Sequence, residues 1–374
     1  MSNNEESEEK SQTETTDSRI LHKHIHISKW MCVLFSIVVI VLVISIMVII
    51  ISVVGKQNEK LSKLSLAALE TREPSLDVTH TVAEKSVYLS WNQYGSTVIK
   101  GMQFKGIDID DDGSIYFADA GNDRVIRQRM NATRSEIVAG GNGFGNRANQ
   151  LNSPTDVVVD KKKNSLIICD KKNQRVMRWS LQNATEQRII ISNINCNGLA
   201  IDQDGSIYVS DNDQAVVKRW NDGENIGEVV AGGNRVGDAL DQLDQPSYVF
   251  VDHHYSVYVS DTNNNRVMKW AKNGKAGIVV AGGNAQGDNI GQLFLAKGVV
   301  VDHLGNVYVA DSLNDRVVCW SEKTQESMIV VGGYGKGSDS HLLNGLDDIA
   351  FDREGNLYVV DIGNRRIQKF DRED

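Results

Sequence analysis

The stretch Gly305-Asn-Val-Tyr-Val-Ala-Asp311-Ser-Leu-Asn-Asp-Arg316-Val-Val-Cys-Trp320 decides the fold, because the chain carries it six times. The Asp closing its first half recurs as Asp119, Asp170, Asp211, Asp261, Asp311 and Asp361, with successive copies 51, 41, 50, 50 and 50 residues apart. Arg follows five positions later in five copies (Arg124, Arg175, Arg266, Arg316, Arg366), and Val216 stands there in the third. Nine positions after the Asp come Trp179, Trp220, Trp270, Trp320 and Phe370, with Gln128 the exception. A fixed period of this length marks a repeat architecture. Before the Asp, Gly298-Val-Val-Val-Asp302, a tight turn and Val307-Tyr-Val-Ala310 read as a hairpin, since short β-branched and aromatic runs divided by Gly and Asp signal strands. Arg316 to Trp320 gives a third strand and Ile329 to Gly333 a fourth. Four antiparallel strands per repeat, covered on both faces by neighbouring repeats, describe a propeller blade, so residues 86–374 are expected to form an all-β, six-bladed β-propeller.

The last copy stops soon after its third strand, at Phe370, and lacks a fourth. Residues 87–99 are expected to supply it, with Trp91-Asn-Gln-Tyr-Gly95 in register with Val331-Gly-Gly-Tyr-Gly335, which leaves no open sheet edge. With the Asp kept in all six copies, and the Arg and the aromatic in five each, the repeats resemble NHL repeats, a family of six-bladed β-propellers, from about residue 86 onward. Where that family often has Asn-His-Leu, these copies read Gly-Asn-Asp-Arg, Lys-Asn-Gln-Arg, Asn-Asn-Asn-Arg, Leu-Asn-Asp-Arg and Gly-Asn-Arg-Arg. The resemblance implies the fold and says little about function, because one propeller scaffold carries many tasks.

Ahead of the repeats, residues 1–29 are polar, with Glu5, Glu6, Glu8 and Glu9 early and Arg19, Lys23, Lys29 and the His22, His24, His26 series later. They read as a disordered tail. Residues 30–54 carry no charge and only Ser36, Ser45 and Ser52 as polar side chains, with 18 Ile, Leu, Val or Phe among them. As a helix they would extend roughly 37 Å, longer than the roughly 30 Å hydrocarbon core, and are expected to be a transmembrane helix. The apolar run is too long for a cleaved signal peptide, and Val53-Val54-Gly55-Lys56 makes a poor cleavage site, so a signal anchor is expected. Flanking charges tie, Arg19, Lys23 and Lys29 against Lys56, Lys60 and Lys63. The sequons at Asn131 and Asn183, which fall at one place in their repeats, the turn between strands three and four, break the tie toward a type II membrane glycoprotein with its tail inside and its propeller outside. Residues 55–85 form a stalk in which Leu61, Leu64, Leu66 and Leu69 suggest a short helix ending before Pro74, a candidate homodimer contact.

Strand directions place the stalk on the face that holds Asn131 and Asn183. The opposite face, made of the Asp-to-Arg turns and the Gly-rich loops, is the candidate binding surface. Those loops (Ala139 to Asn146, Ala231 to Asp238, Ala281 to Asp288) enter no helix, so they read as turns rather than phosphate cradles. Asp108, Asp110, Asp112, Gly113 and Asp119 have the spacing of a calcium loop, yet the third repeat forms the same hairpin with Ala200 in the first position, and no metal is expected there. Four residues before the Asp that ends each first strand stand Gly106, Asp156, Gly198, Tyr248, Gly298 and Asp348, with Lys105 and Lys297 one position earlier. Apolar Val157, Val249, Val299 and Ile349 should pack between blades, so Lys105, Asp156, Tyr248, Lys297 and Asp348 are expected to ring the channel mouth and face a ligand.

The net charge of -9 argues against a general polyanion binder, and no nucleic acid is expected. One sector is basic: 13 Lys or Arg against 5 Asp or Glu from Arg124 to Arg188, including Lys161, Lys162, Lys163, Lys171 and Lys172. Cys169 and Cys196 are a candidate disulfide, at strand ends on one face of adjacent blades, and Cys319 would remain a buried thiol. The resemblance also brings in enzymatic six-bladed relatives, a zinc-dependent amidating lyase and metal-dependent esterases or lactonases, but His253, His254, His303 and His341 do not reproduce a channel site and no Ser-His-Asp set is present. The expectation is a propeller that binds a protein, glycan or small ligand on its outer face without catalysis and without a cofactor. The alternatives are a membrane-tethered metal-dependent hydrolase or lyase at the channel mouth, which bound metal would favour, and a cytosol-facing scaffold, which unglycosylated sequons would favour.

Overall fold

The computed structural model describes residues 89–373 except Ala184 and Gln325. The tail, the apolar stretch 30–54 and the stalk lie outside the described residues, and no helix among those described is long and apolar enough to cross a membrane.

Six four-stranded antiparallel sheets follow one another around an axis. Their inner strands are Phe104–Ile109, Pro154–Asp160, Cys196–Ile201, Pro246–Val251, Ala296–Val301 and Leu346–Phe351, which number the blades one to six. Blade six continues through Leu357–Asp361 and Arg366–Phe370 and takes its outer strand from the amino-terminal side, Ser96–Lys100, so the ring closes as expected. The register of that closure differs from expectation. Ile99 and Lys100 pair with Ile367 and Arg366 as Val331 and Gly332 pair with Val317 and Arg316, so Gly101 (φ +92°), not Gln93, is the counterpart of Gly333 (φ +81°). Trp91 has another task. It pairs with Arg372 in a short two-stranded ribbon and buries its indole against Tyr308, Phe351 and Phe370 between blades five and six.

The repeated motif proves to be a clasp. Each Asp ends a second strand, is buried, and in five blades takes the Arg Nε at 2.6–2.9 Å. The Asn three residues on donates to the same carboxylate, in blade five as Asn314 to Asp311 at 2.8 Å. In blades two, four, five and six the guanidinium then reaches back to carbonyls of the preceding Gly-rich loop; Arg316 binds Asp288, Asn289 and Gln292. The loops leave from the side of the Asp-to-Arg turns, which we call the clasp face. They do not lie on it as expected but run down the flank of the blade that follows, where Leu240 accepts from Gly277 and Ser340 from Gly95. The arginines draw them there. The 41-residue spacing now has a reason: only residues 193–195 lead into blade three, there is no loop to hold, and Val216 occupies the Arg position. Asp211 Oδ2 is left without a hydrogen bond.

On the opposite, hairpin face, the Asp after each inner strand accepts turn amides and, in five blades, a buried Tyr hydroxyl. Asp302 holds Asn306 N at 2.9 Å and the Tyr308 hydroxyl at 2.9 Å. These tyrosines fill the space between blades while their hydroxyls stay satisfied, as buried aromatic groups require. Blade two has Leu166 instead, and Asp160 takes Arg178 at 2.5 Å.

Candidate functional site

The six inner strands line the channel, and its shape follows from one register position. Gly106, Gly198 and Gly298 alternate with Asp156, Tyr248 and Asp348. A Cβ on Gly106 would overlap the Asp156 carboxylate, one on Gly298 the Asp348 carboxylate, and one on Gly198 the backbone of Ser247 and Tyr248. Bare backbone on the odd blades therefore lets the bulky residues of the even blades turn inward. Asp156, Tyr248 and Asp348 are only 3%, 6% and 6% exposed, so they do not ring the opening as expected but form a septum inside the channel.

Backbone amides of adjacent blades hold that septum. Asp156 accepts from Val157 N at 2.8 Å and Leu199 N at 2.7 Å, and Asp348 from Ile349 N at 2.9 Å and Ile107 N at 2.9 Å. Asp108 ties blade one to blade two by accepting from Val159 N at 2.7 Å. The other half of the ring uses hydroxyls: Ser210 donates to Ser247 O at 2.6 Å, and Ser260 to Lys297 O. The Tyr248 hydroxyl crosses from blade four to Asp347 of blade six, at 2.9 Å.

Burial dominates the electrostatics here. It pushes the Asp156 carboxyl well above the usual carboxylate range, with nearby Asp348 adding to the effect, and it does the same to Asp348, with Asp347 and Asp108 adding. Burial carries Asp108 up to about 6. The Tyr248 phenol is raised by burial and then by Asp347.

A pH dependence follows. In this region the folded protein keeps carboxyl protons that the unfolded chain, with ordinary carboxyls, has already lost. Stability conferred by those protons is fully present below about pH 4, where the unfolded carboxyls are also protonated, and is lost as pH rises through the folded values. At about 1.4 kcal/mol per unit of displacement, the loss between pH 5 and pH 8 is expected to be on the order of 2 kcal/mol. Urea midpoints at the two pH values measure it, and the Asp156→Asn, Asp348→Asn double variant should flatten the slope. Midpoints that rise from pH 5 to pH 8 would contradict this electrostatic account.

On the hairpin side of the septum lies a chamber of about 330 Å³, lined by Asp108, Asp156, Tyr248 and Asp348 as well as by apolar Val158, Ala200, Phe250, Val300 and Ala350. On the clasp side the mouth is polar. Lys105 lies 3.1 Å and Lys297 3.8 Å from the Asp347 carboxylate, and Lys171 donates to Asn197 Oδ1 at 2.7 Å. Burial, then Lys297 and Lys105, hold the Lys171 ammonium below its ordinary range.

The other predicted residues lie elsewhere. Asn131 and Asn183 are exposed in turns on the hairpin face, where the described chain also enters, with Trp91 Nε1 donating to Gly355 O at 2.9 Å. Cys169 and Cys196 are bridged between blades two and three with Cα atoms 5.7 Å apart, and Cys319 is a buried thiol. Asp108, Asp110, Asp112 and Asp119 do not converge: Asp110 and Asp112 tie the turn amides, while Asp119 sits in its clasp on the other face. Much of the basic sector is paired, Lys161 with Asp111 at 2.6 Å, Lys163 with Asp222 and Arg178 with Asp160. Of the histidines, His253, His254 and His303 line a groove on the hairpin face, and His341 packs beside Tyr94 and Tyr334. Among the described residues no three His, Cys, Asp or Glu are grouped to hold a metal ion.

No protein-family model matches the chain, and neither does any curated protein. Solved structures do. An auxiliary nutrient binding protein from Bacteroides thetaiotaomicron aligns with a TM-score of 0.59 at 14% identity, over 73% of this chain and 70% of that one. A gluconolactonase from Xanthomonas campestris aligns at 0.54 and 15% over 75% and 88%, and a streptogramin B lyase at 0.51 and 10% over 76% and 98%. At these identities the likeness establishes the shared propeller fold alone.

Sequence reasoning missed Asp347 and Asn197, and it named Lys171 only as part of the basic sector, not as a residue of the mouth. The first two were within reach, because Lys105, Thr155, Asn197, Ser247, Lys297 and Asp347 share one register position. Lys171 follows its clasp Asp in a slot that reads Ala120, Asn212, Thr262, Ser312 and Ile362 in the other blades, so no pattern singles it out.

Proposed function

We propose that the protein is a binding propeller which holds a ligand over the clasp-face mouth of its channel, without catalysis. The observation that supports this reading is the tethering of the septum: Asp156 and Asp348 each accept from two backbone amides of their own and the adjacent blade, which fixes both carboxyls in place as the floor of a site. The mouth above it keeps exposed charge, with Lys105 36% exposed. The full chain in detergent, screened by thermal shift against sugars, sugar acids and lactones while ester and lactone hydrolysis is recorded, tests this. Stabilisation without turnover supports binding; turnover lost in Asp156→Asn would overturn it.

We further propose that the propeller is displayed outside the cell or in a lumen by a type II anchor at residues 30–54. Two exposed sequons and a bridged cysteine pair support an oxidising, glycosylating compartment. The full-length protein from a eukaryotic cell should lose apparent mass with glycosidase, and Asn131→Gln with Asn183→Gln should abolish the shift. An unshifted wild-type band together with a protease-protected propeller would reverse the topology.

A further inference from the structure

We propose that the clasp-face mouth is a site for a compact oxyanion, a carboxylate or phosphate group coordinated by Lys105, Lys171 and Lys297. This rests on the reading of the mouth as the binding site and names the chemistry it takes. The Lys105 and Lys297 ammoniums, from blades one and five, flank one carboxylate, Asp347, at 3.1 Å and 3.8 Å, and Lys171 of blade two, which feels the charge of both, bonds Asn197 at the same register position in blade three. Asp347 is also engaged by the Tyr248 hydroxyl at 2.9 Å and is 4% exposed, so it is fully used in closing the channel floor. Among the described residues, the hydrogen-bond partner of Lys171 is the neutral Asn197, at 2.7 Å. The next acid out, Asp213, is held by Asn195 at 2.7 Å. Cationic charge is thus in excess at one spot of a chain whose net charge is -9.

The repeat itself shows that this excess is not a requirement of the fold. The positions of Lys105 and Lys297 are filled by Thr155, Asn197 and Ser247 in other blades, and that of Lys171 by Ala120, Thr262 and Ser312. Crowding like charges at a partly desolvated mouth costs stability, and an anion that accepts from all three ammoniums offsets it with charge-assisted hydrogen bonds. The septum sets the size. Tyr248 and Asp347 close the channel immediately below, so the anionic group sits at the entrance and whatever bears it extends away from the clasp face.

Calorimetric titration of the full chain at low ionic strength with inorganic phosphate, succinate and D-glucuronate tests the proposal, with D-glucose as the neutral control. At least one anion is expected to bind with a dissociation constant below about 1 mM, weakening as salt is added. Lys171→Gln and Lys297→Gln should each weaken it about tenfold or more, and either variant serves if the other does not fold. Which anion binds best distinguishes a phosphate ligand from a carboxylate one. In protein with ¹³C-dimethylated lysines, the same anion should raise the pH at which Lys171 titrates. Absence of binding by all three below 10 mM, or equal binding in both variants, overturns the oxyanion assignment. A neutral sugar that stabilises the protein without needing these lysines would leave the binding propeller standing and remove only this inference.

Discussion

Arg316→Ala is expected to cost the propeller about 3–5 kcal/mol, whereas Arg124→Ala should cost no more than about 1 kcal/mol. The two residues share a place in the repeat and make the same ion pair, at 2.8 Å to Asp311 and 2.9 Å to Asp119. Their surroundings differ. Arg316 has a side chain 6% exposed and donates to three carbonyls of the loop before blade five, so its loss takes the counter-charge from buried Asp311 and releases three loop carbonyls together. Asp119 is as buried as Asp311, but Arg124 is 26% exposed and only residues 101–103 lead into blade one, so its loss opens a path for water to the carboxylate and releases no loop carbonyl. Melting temperatures measure the contrast, with a drop on the order of 10 °C for Arg316→Ala and a few degrees at most for Arg124→Ala. Equal losses would mean that the ion pair, rather than the loop it anchors, sustains the clasp.

Trp91→Ala should be comparably damaging, at about 3–5 kcal/mol. The indole is 2% exposed, stacks on Phe351 at 5.6 Å and meets Tyr308 edge-on at 5.4 Å, so truncation opens a cavity between blades five and six. It also frees the ribbon leading into Ser96–Lys100, and protease should then cut near residue 95 well before the rest of the ring is attacked. Trp91→Phe keeps the ring contacts and loses mainly the 2.9 Å bond to Gly355, a deficit of about 1 kcal/mol. If Trp91→Phe is as unstable as Trp91→Ala, the hydrogen bond rather than the packing holds the closure.

Blade number and strand order were legible because the clasp uses one residue per task at a fixed place: Asp119 to Asp361 mark six strand ends, and the Arg five positions later confirms the register. Closure was legible as a missing strand but not in its register. The Trp91-to-Gly95 match aligned glycines and aromatics, while the chain follows the burial of Trp91 and the positive φ of Gly101. The channel was harder still. Its residues were counted correctly, but whether Asp156 looks outward or inward depends on Gly106 in the preceding blade and on the amide of Leu199 in the next. Such relations run between segments some fifty residues apart and leave no local pattern.

Borrowing the outer strand of blade six from the amino-terminal side also fixes an order of events during synthesis. Thr97 meets Gln368 across 271 residues of chain, so the first strand of the blades to leave the ribosome waits for the last of them. At roughly 5–20 residues per second that interval is on the order of tens of seconds. Through it the unpaired strand Ser96–Lys100 and the growing stack of blades both present open edges. The ring becomes a finished object in a single late step, and the nascent chain is most in need of a chaperone just before its final blade emerges.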